Sequence, residues 1–205
     1  MVQKHEFENS TDYLQTQIGT TRRKLPKARL STTPECIDEI CRYVAQDGRQ
    51  VRRGICHGVR SGEEVWLFKT QLGGVWAGTE ITPELCDGET IICHDFRQHR
   101  REWVGAFDVV YSNSLDHSDR PESTLKTWLK SLAPGGLLCL EHHRYMERVS
   151  RHGKADCFGA TVIEYMAMVR DAGGELRAEL VVRDEPERRP RPLTRTILVF
   201  SYCGC

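Results

Sequence analysis

Three glycines, a few acids and a handful of histidines carry the chemistry legible in this sequence. Gly54, Gly58 and Gly62 bracket the stretch CHGVRSG, between an apolar run and an amphipathic one. A glycine turn lets backbone approach a ligand closely, and the helix that follows presents free N–H groups. Glu80 closes the next apolar run, 22 residues after Gly58. A carboxylate at a strand's carboxyl end can accept hydrogen bonds from both hydroxyls of a ribose. Asp95 ends a third run, in ICHDF, with Phe96 beside it. Asn113 follows a fourth, in SNSLDHS, and the same loop carries Asp116 and His117. An imidazole that titrates near neutrality is suited to take a proton as a general base. Asp116 or Ser118 could instead cap the next helix, with His117 packed above the site. His142 and His143 follow a fifth apolar run.

These residues need a frame. Thr33 as N-cap and Pro34 at the first helical position open a helix that carries Ile37, Ile40, Cys41 and Val44 at helical spacing. Beyond it the pattern alternates. Val51–Cys56, Val75–Ile81, Thr90–His94, Phe107–Ser112 and Leu137–Glu141 read as strands. Glu63–Leu72, a short Pro83–Asp87, Pro121–Leu132 and Gly159–Ala172 read as helices. Alternation of this kind predicts a mostly parallel sheet covered on both faces. Leu176–Val182 and Thr194–Ser201 then follow as two strands with no helix between them, which predicts an antiparallel hairpin at one edge. The expected fold is therefore α/β, with a seven-stranded sheet, in a domain of residues 34–205. Residues 1–33 are polar, with few apolar anchors, and are expected to form an N-terminal arm or a helical lid.

Bulk composition limits the alternatives. The chain has 205 residues, 29 Lys+Arg against 29 Asp+Glu, and 39% hydrophobic residues. That balance opposes a chain built to coat nucleic acid or an anionic membrane. The basic clusters Arg22 to Lys24, Arg97 to Arg101 and Arg188 to Arg191 read as solvated faces. There is no run of about 20 apolar residues to span a bilayer and no apolar segment near Met1. The expectation is a cytoplasmic protein. Nine cysteines without C-x-x-C spacing read as reduced thiols, with Cys203 and Cys205 exposed. The histidines and acids show no ligand spacing, so no metal site is expected.

The order of these motifs resembles the class I, Rossmann-like family of S-adenosylmethionine (SAM)-dependent methyltransferases, over about Val51 to Ser201. FDVVYSNSLDHS is similar to the family's fourth strand and following loop, and LAPGGLLCLE to its turn and fifth strand. The resemblance implies SAM as cofactor. It implies that Cys56, His57, Gly58, Arg60, Gly62 and Glu63 pass beneath its methionine and ribose parts, with Arg60 facing the carboxylate. Glu80 is implied to hold the ribose and Ile81 to flank the adenine. Asp95 and Phe96 are implied to receive the adenine, and Asn113 the methionine amino group. The sequence departs from the family at the first strand's end, where the usual acid is missing and a loop with His57 and Arg60 stands instead.

For the reaction, His117, Asp116 and His142 are the candidate catalytic residues. The expected acceptor is a small molecule or sugar, methylated on O or N; Arg144, Arg151 and Lys154 hint at an anionic one. The loop after the fourth strand lacks the D/N-P-P-Y pattern of amino methylation on bases, so a nucleic-acid substrate is disfavoured. A SAM-binding protein without methylation and an NAD-dependent oxidoreductase remain open, since Glu80 would serve a dinucleotide equally well. Nothing in the sequence indicates the oligomeric state.

Overall fold

A computed structural model describes residues 2–25, 31–149, 155–184 and 193–202. Arg151, Lys154, Arg188 to Arg191, Cys203 and Cys205 lie outside the described residues. In chain order the elements are β1 (Gln3–Lys4), α1 (Ser10–Lys24), α2 (Pro34–Gln46), β2 (Arg53–His57), α3 (Glu63–Leu72), β3 (Val75–Glu80) and β4 (Ile91–Cys93). Then come β5 (Phe107–Ser112), α4 (Pro121–Ser131), β6 (Leu132–His143), β7 (Phe158–Gly159), α5 (Val162–Asp171), β8 (Gly174–Arg183) and β9 (Thr194–Tyr202).

Seven strands form one sheet in the order β4-β3-β2-β5-β6-β9-β8. The first five are parallel, and β9 and β8 add the expected antiparallel hairpin beside β6. The chain runs outward from β2 to β3 and β4, then returns to place β5 on the other side of β2. Between β2 and β5 the strand order reverses, which is where α/β sheets bind ligands, outside the carboxyl ends.

Successive strand residues supply opposite faces. Cys56, Val109, Tyr111 and Cys139 pack with Ile37, Ile40 and Val44 of α2 and with Phe68 of α3. Ile55, Val110 and Leu138 pack with Leu125 and Trp128 of α4 and with Tyr165 of α5. Each such buried side chain contributes about 1.5–3 kcal/mol.

Three local expectations change. The region Pro83–Asp87 holds a single 3-10 turn, Pro83–Leu85, rather than a short α-helix. The last helix starts at Val162 because Thr161 and Glu164 form a capping box there; Phe158–Gly159, ahead of it, instead pairs antiparallel with Gln3–Lys4. β6 begins at Leu132, not Leu137, and runs through the Pro-Gly-Gly turn. A register shift against β5 accommodates the extra residues. A side chain at Gly136 would stand 2.7 Å from the Phe107 carbonyl oxygen, so only glycine fits there. The N-terminal segment contains helix α1, Ser10–Lys24. Asn9 caps α1 by accepting the N–H groups of Thr11 and Asp12.

Candidate active site

The sheet's carboxyl edge opens into a pocket of about 570 Å³, part of it open to solvent. One wall is made of strand ends: Gly58, Arg60, Thr79, Glu80, Ile81, Asp95 and Phe96. The facing wall is α1, through Tyr13, Gln17, Thr20, Thr21 and Lys24, together with Ser114 and His117 from the loop after β5.

The strand-end wall rests on two special backbone positions. Gly58 has φ +79°, and a Cβ on it would stand 2.7 Å from the Ser114 side chain. Its absence leaves a cradle between the two loops. Arg60 is also left-handed, at φ 47°, a conformation costly for a residue with a side chain. It is held by its own N–H, which donates to Glu80 Oε2 at 3.2 Å. Glu80 Oε1 accepts the N–H groups of Ile81 and Thr82 at 3.0 and 2.9 Å. The carboxylate is thus fixed before any ligand arrives, with acceptor capacity left over.

Asp95 is placed at the pocket but is not free. Arg97 donates Nε and Nη2 to its two oxygens at 2.9 and 2.7 Å, and Arg97 Nη1 reaches Asp119 Oδ1 at 2.7 Å. The guanidinium carbon stands 3.4 Å from the centre of the Tyr13 ring, a cation–π contact within a desolvated pair. Arg97 is therefore a buried hub and not part of a solvated basic face, the reading its neighbours had suggested. Arg22 of another such cluster forms a salt bridge with Glu84.

Several expected site residues stand elsewhere. Cys56 lies in the core beneath the sheet edge. His57 does not line the pocket. Its ring stacks on Trp128 at 4.9 Å, and its Nδ1 lies 3.0 Å from Thr79 Oγ1. Burial and the nearby charge of His94 push its pKa down to about 3, so it is neutral at ordinary pH. It staples the loop from behind, because the β2 alternation that points Cys56 to one face points His57 to the other. Gly62 caps α3 at φ +75°. Glu63 is exposed, and Glu64 is the buried acid of that turn, its carboxyl raised to about 8 by burial.

His142 is likewise displaced. It is buried, bonds the Ala160 carbonyl through Nε2 at 2.8 Å and packs edge-on against Tyr165. Burial lowers its pKa, and it takes no part in the pocket wall. His143 sits beside Tyr145, away from the pocket. Asn113 is buried next to the pocket-lining Ser114. Its Oδ1 accepts from Ser114 Oγ at 2.9 Å, while its Nδ2 has no partner among the described residues. His117 does line the pocket. Its Nδ1 lies 2.7 Å from the Ala155 carbonyl and its own carbonyl accepts the Tyr13 hydroxyl at 2.9 Å. Asp116 is buried behind it.

The composition of α1 concealed its part in this site. Tyr13, Gln17 and Thr20 are its buried residues, a stripe at i, i+4 and i+7 that is mostly polar and carries little hydrophobic signal. Ser114 and Asp156, whose Oδ1 lies 3.8 Å from His117 Nδ1, also went unremarked, and Arg97, read only within a basic cluster, gains its role through Tyr13 and Asp119.

No family model and no curated protein matches this sequence. Solved structures do match in fold. A Burkholderia thailandensis 1,6-didemethyltoxoflavin-N1-methyltransferase superposes with TM-score 0.72 at 13% identity, over 98% of this chain and 93% of that one. The Bradyrhizobium japonicum N-methyltransferase NodS gives 0.66 at 13%, over 92% and 100%. The cyclase SpnF gives 0.65 at 12%, over 98% of each chain. Sheet order, the edge hairpin and the switch-point pocket thus define the class I SAM-dependent methyltransferase fold. Among the described residues no helix is long and apolar enough to cross a membrane.

Proposed function

We propose that this chain is a SAM-dependent methyltransferase acting on a small-molecule oxygen or nitrogen acceptor. One observation carries the reading: a single pocket at the switch point joins the wall of Gly58, Glu80, Ile81 and Phe96 to His117. SAM, when bound, supplies a methyl group already activated on a sulfonium. What remains for the protein is to bind, align and exclude water.

The residues suit that cofactor. Glu80 keeps acceptor capacity for the ribose hydroxyls, and Ile81 and Phe96 offer apolar surface to the adenine. The Gly58 cradle admits the chain of atoms between them. The unpartnered Asn113 Nδ2 is a donor, so it suits the methionine carboxylate better than the amino group. Lys24 and Arg60 add positive charge on opposite walls. Asp95 acts through Arg97, shaping the pocket and holding Tyr13 rather than meeting the adenine amino group unaided. At the acceptor end, His117 and Asp116 are the groups assigned to the acceptor's proton. A small acceptor is supported by the Burkholderia enzyme, whose structure holds 1,6-didemethyltoxoflavin and S-adenosylhomocysteine.

Calorimetry tests the reading directly. SAM and S-adenosylhomocysteine should bind, and NAD should not. Tight NAD binding with no response to either sulfur compound would overturn it. Release of S-adenosylhomocysteine in the presence of cell extract then separates methyl transfer from binding without chemistry.

A further inference from the structure

Cys86 and Cys93 stand on either side of a tight turn at the sheet's β4 edge. The neck of the turn is closed where the N–H groups of Asp87 and Gly88 both donate to the Ile91 carbonyl at 3.1 Å. Asp87 Oδ1 fills its centre, accepting the N–H groups of Glu89, Thr90 and Ile91 at 2.8 Å. Beyond the turn, Cys93 lies opposite Glu80 in the β3–β4 pair. Cys86 reaches the same place from its own side. Its Sγ is 3.5 Å from the Glu80 carbonyl oxygen and 3.4 Å from that of Thr82. The turn and the strand register thus converge on one spot, and the two thiols interact directly.

Exposure separates this pair from the other described cysteines. Cys36, Cys41, Cys56, Cys139 and Cys157 are buried, whereas Cys93 is exposed and Cys86 half-buried. Thiol oxidation follows exposure, and a nearby second thiol resolves the first product. The position also bears on the pocket. Glu80 and Ile81 line it, and the N–H groups of Ile81 and Thr82 fix the Glu80 carboxylate. The Cys86 S–H, a weak donor, meets the carbonyls at both ends of that stretch. Both carbonyls also accept a backbone N–H, from His94 and Leu85, so loss of the thiol hydrogen loosens the stretch without unfolding it.

We propose that Cys86 and Cys93 are an oxidation site, forming a reversible disulfide that loosens residues 80–82 and weakens cofactor binding. The oxidant is a peroxide. The Cys93 sulfur attacks one peroxide oxygen, the O–O bond breaks, and the other oxygen leaves as water with the thiol proton. The Cys86 sulfur then attacks the sulfenic acid so formed. The S–O bond breaks, and the Cys86 proton leaves with that oxygen as a second water. Both sulfurs are oxidised, the peroxide is reduced, and a thiol reductant reverses the change. The effect on the cofactor rests on the SAM reading; the disulfide itself does not.

The test uses the full chain. Trypsin releases residues 70–97 as one peptide whose only cysteines are Cys86 and Cys93. After hydrogen peroxide and alkylation of the remaining thiols, this peptide should lose both alkylation sites together, at two hydrogens below its reduced mass. Dithiothreitol should restore them. Calorimetry on the same samples should show SAM bound roughly 2- to 10-fold more weakly after oxidation, the size of one weak hydrogen bond. Cys93→Ser should bind SAM as the reduced wild type does and should not respond to peroxide. A peptide that stays fully alkylated overturns the proposal, as does oxidation of Cys93 while Cys86 stays free, or a disulfide that leaves SAM affinity unchanged. Reduced protein that binds no SAM removes the methyltransferase reading instead, and the peptide mass still decides whether the disulfide forms.

Discussion

The two walls of the pocket are built on different principles. The wall of Gly58, Glu80, Ile81, Asp95 and Phe96 consists of strand ends and backbone, and its carboxylates are fixed by neighbouring donors. The facing wall, α1 with the His117 loop, is carried by side chains from separate segments. Tyr13 meets His117, Gln17 Nε2 donates to Ala155 O at 2.9 Å, and Arg97 lies against Tyr13. A wall of strand ends inherits its geometry from the sheet and can be rigid without cost to the fold. A wall of side-chain contacts between loops and a terminal helix depends on a few bonds, and it can differ between proteins of one fold. On the proposed function, cofactor recognition falls to the first wall and acceptor choice to the second.

The largest effect should come from the second wall. His117→Ala is expected to lower turnover about 10²–10⁴-fold, while SAM affinity, measured by calorimetry, stays within a few-fold. A collapse of SAM affinity in this variant would break the comparison, since the side chain would then belong to the cofactor wall. Glu80→Ala should do the reverse. Loss of hydrogen bonds to a charged group costs about 1.5–3 kcal/mol, so the SAM dissociation constant should rise roughly 10- to 150-fold. Thermal stability should change little, and an unchanged dissociation constant removes Glu80 from the site.

The same division explains what was legible from sequence. Glu80 and Asp95 follow from strand periodicity, because a residue at the end of an apolar run must sit at the sheet's carboxyl edge. The sheet, its hairpin and helices α2 to α5 follow from the same alternation. His57 was misplaced by the same kind of reasoning applied one residue too far: period-two alternation turned its ring toward Trp128 and away from the ligand. Arg97 sat among exposed arginines, and only Asp95, Asp119 and Tyr13 make it a buried hub. Asp156 stands in an irregular segment with no periodicity to read. α1 buries a polar stripe, so its packing is specified by partners that lie about a hundred residues away in the chain.

His57 extends the comparison to pH. The His57 pKa falls to about 3 in the folded protein, from an unfolded value near 6.5. The unfolded chain therefore binds more protons between those values, and stability falls as pH drops from 6.5 toward 3. Over pH 6.5 to 5 this amounts to about 1.5 kcal/mol, read from urea unfolding midpoints. His57→Phe keeps a ring on Trp128 and carries no titrating nitrogen, so its acid slope should be shallower by that amount. Identical slopes for the two proteins would show that the ring does not titrate as its burial implies.

The smallest expected effect tests whether α1 serves the cofactor at all. Tyr13 joins the walls through its hydroxyl, which donates to the His117 carbonyl at 2.9 Å, and through its ring beneath Arg97. Tyr13→Phe removes only the hydroxyl. One neutral hydrogen bond contributes about 0.5–1.5 kcal/mol net. If α1 closes over bound SAM, that amount should emerge as a 2- to 10-fold faster release, measured by stopped-flow dilution. The association rate should change less, because the strand-end wall is formed beforehand. If α1 serves only the acceptor, SAM release should be unaffected and the loss should fall on the Michaelis constant of the acceptor. An increase in release that Tyr13→Ala does not enlarge would mean that the Arg97 stack adds nothing. The bond to the His117 carbonyl alone would then hold the helix against the pocket.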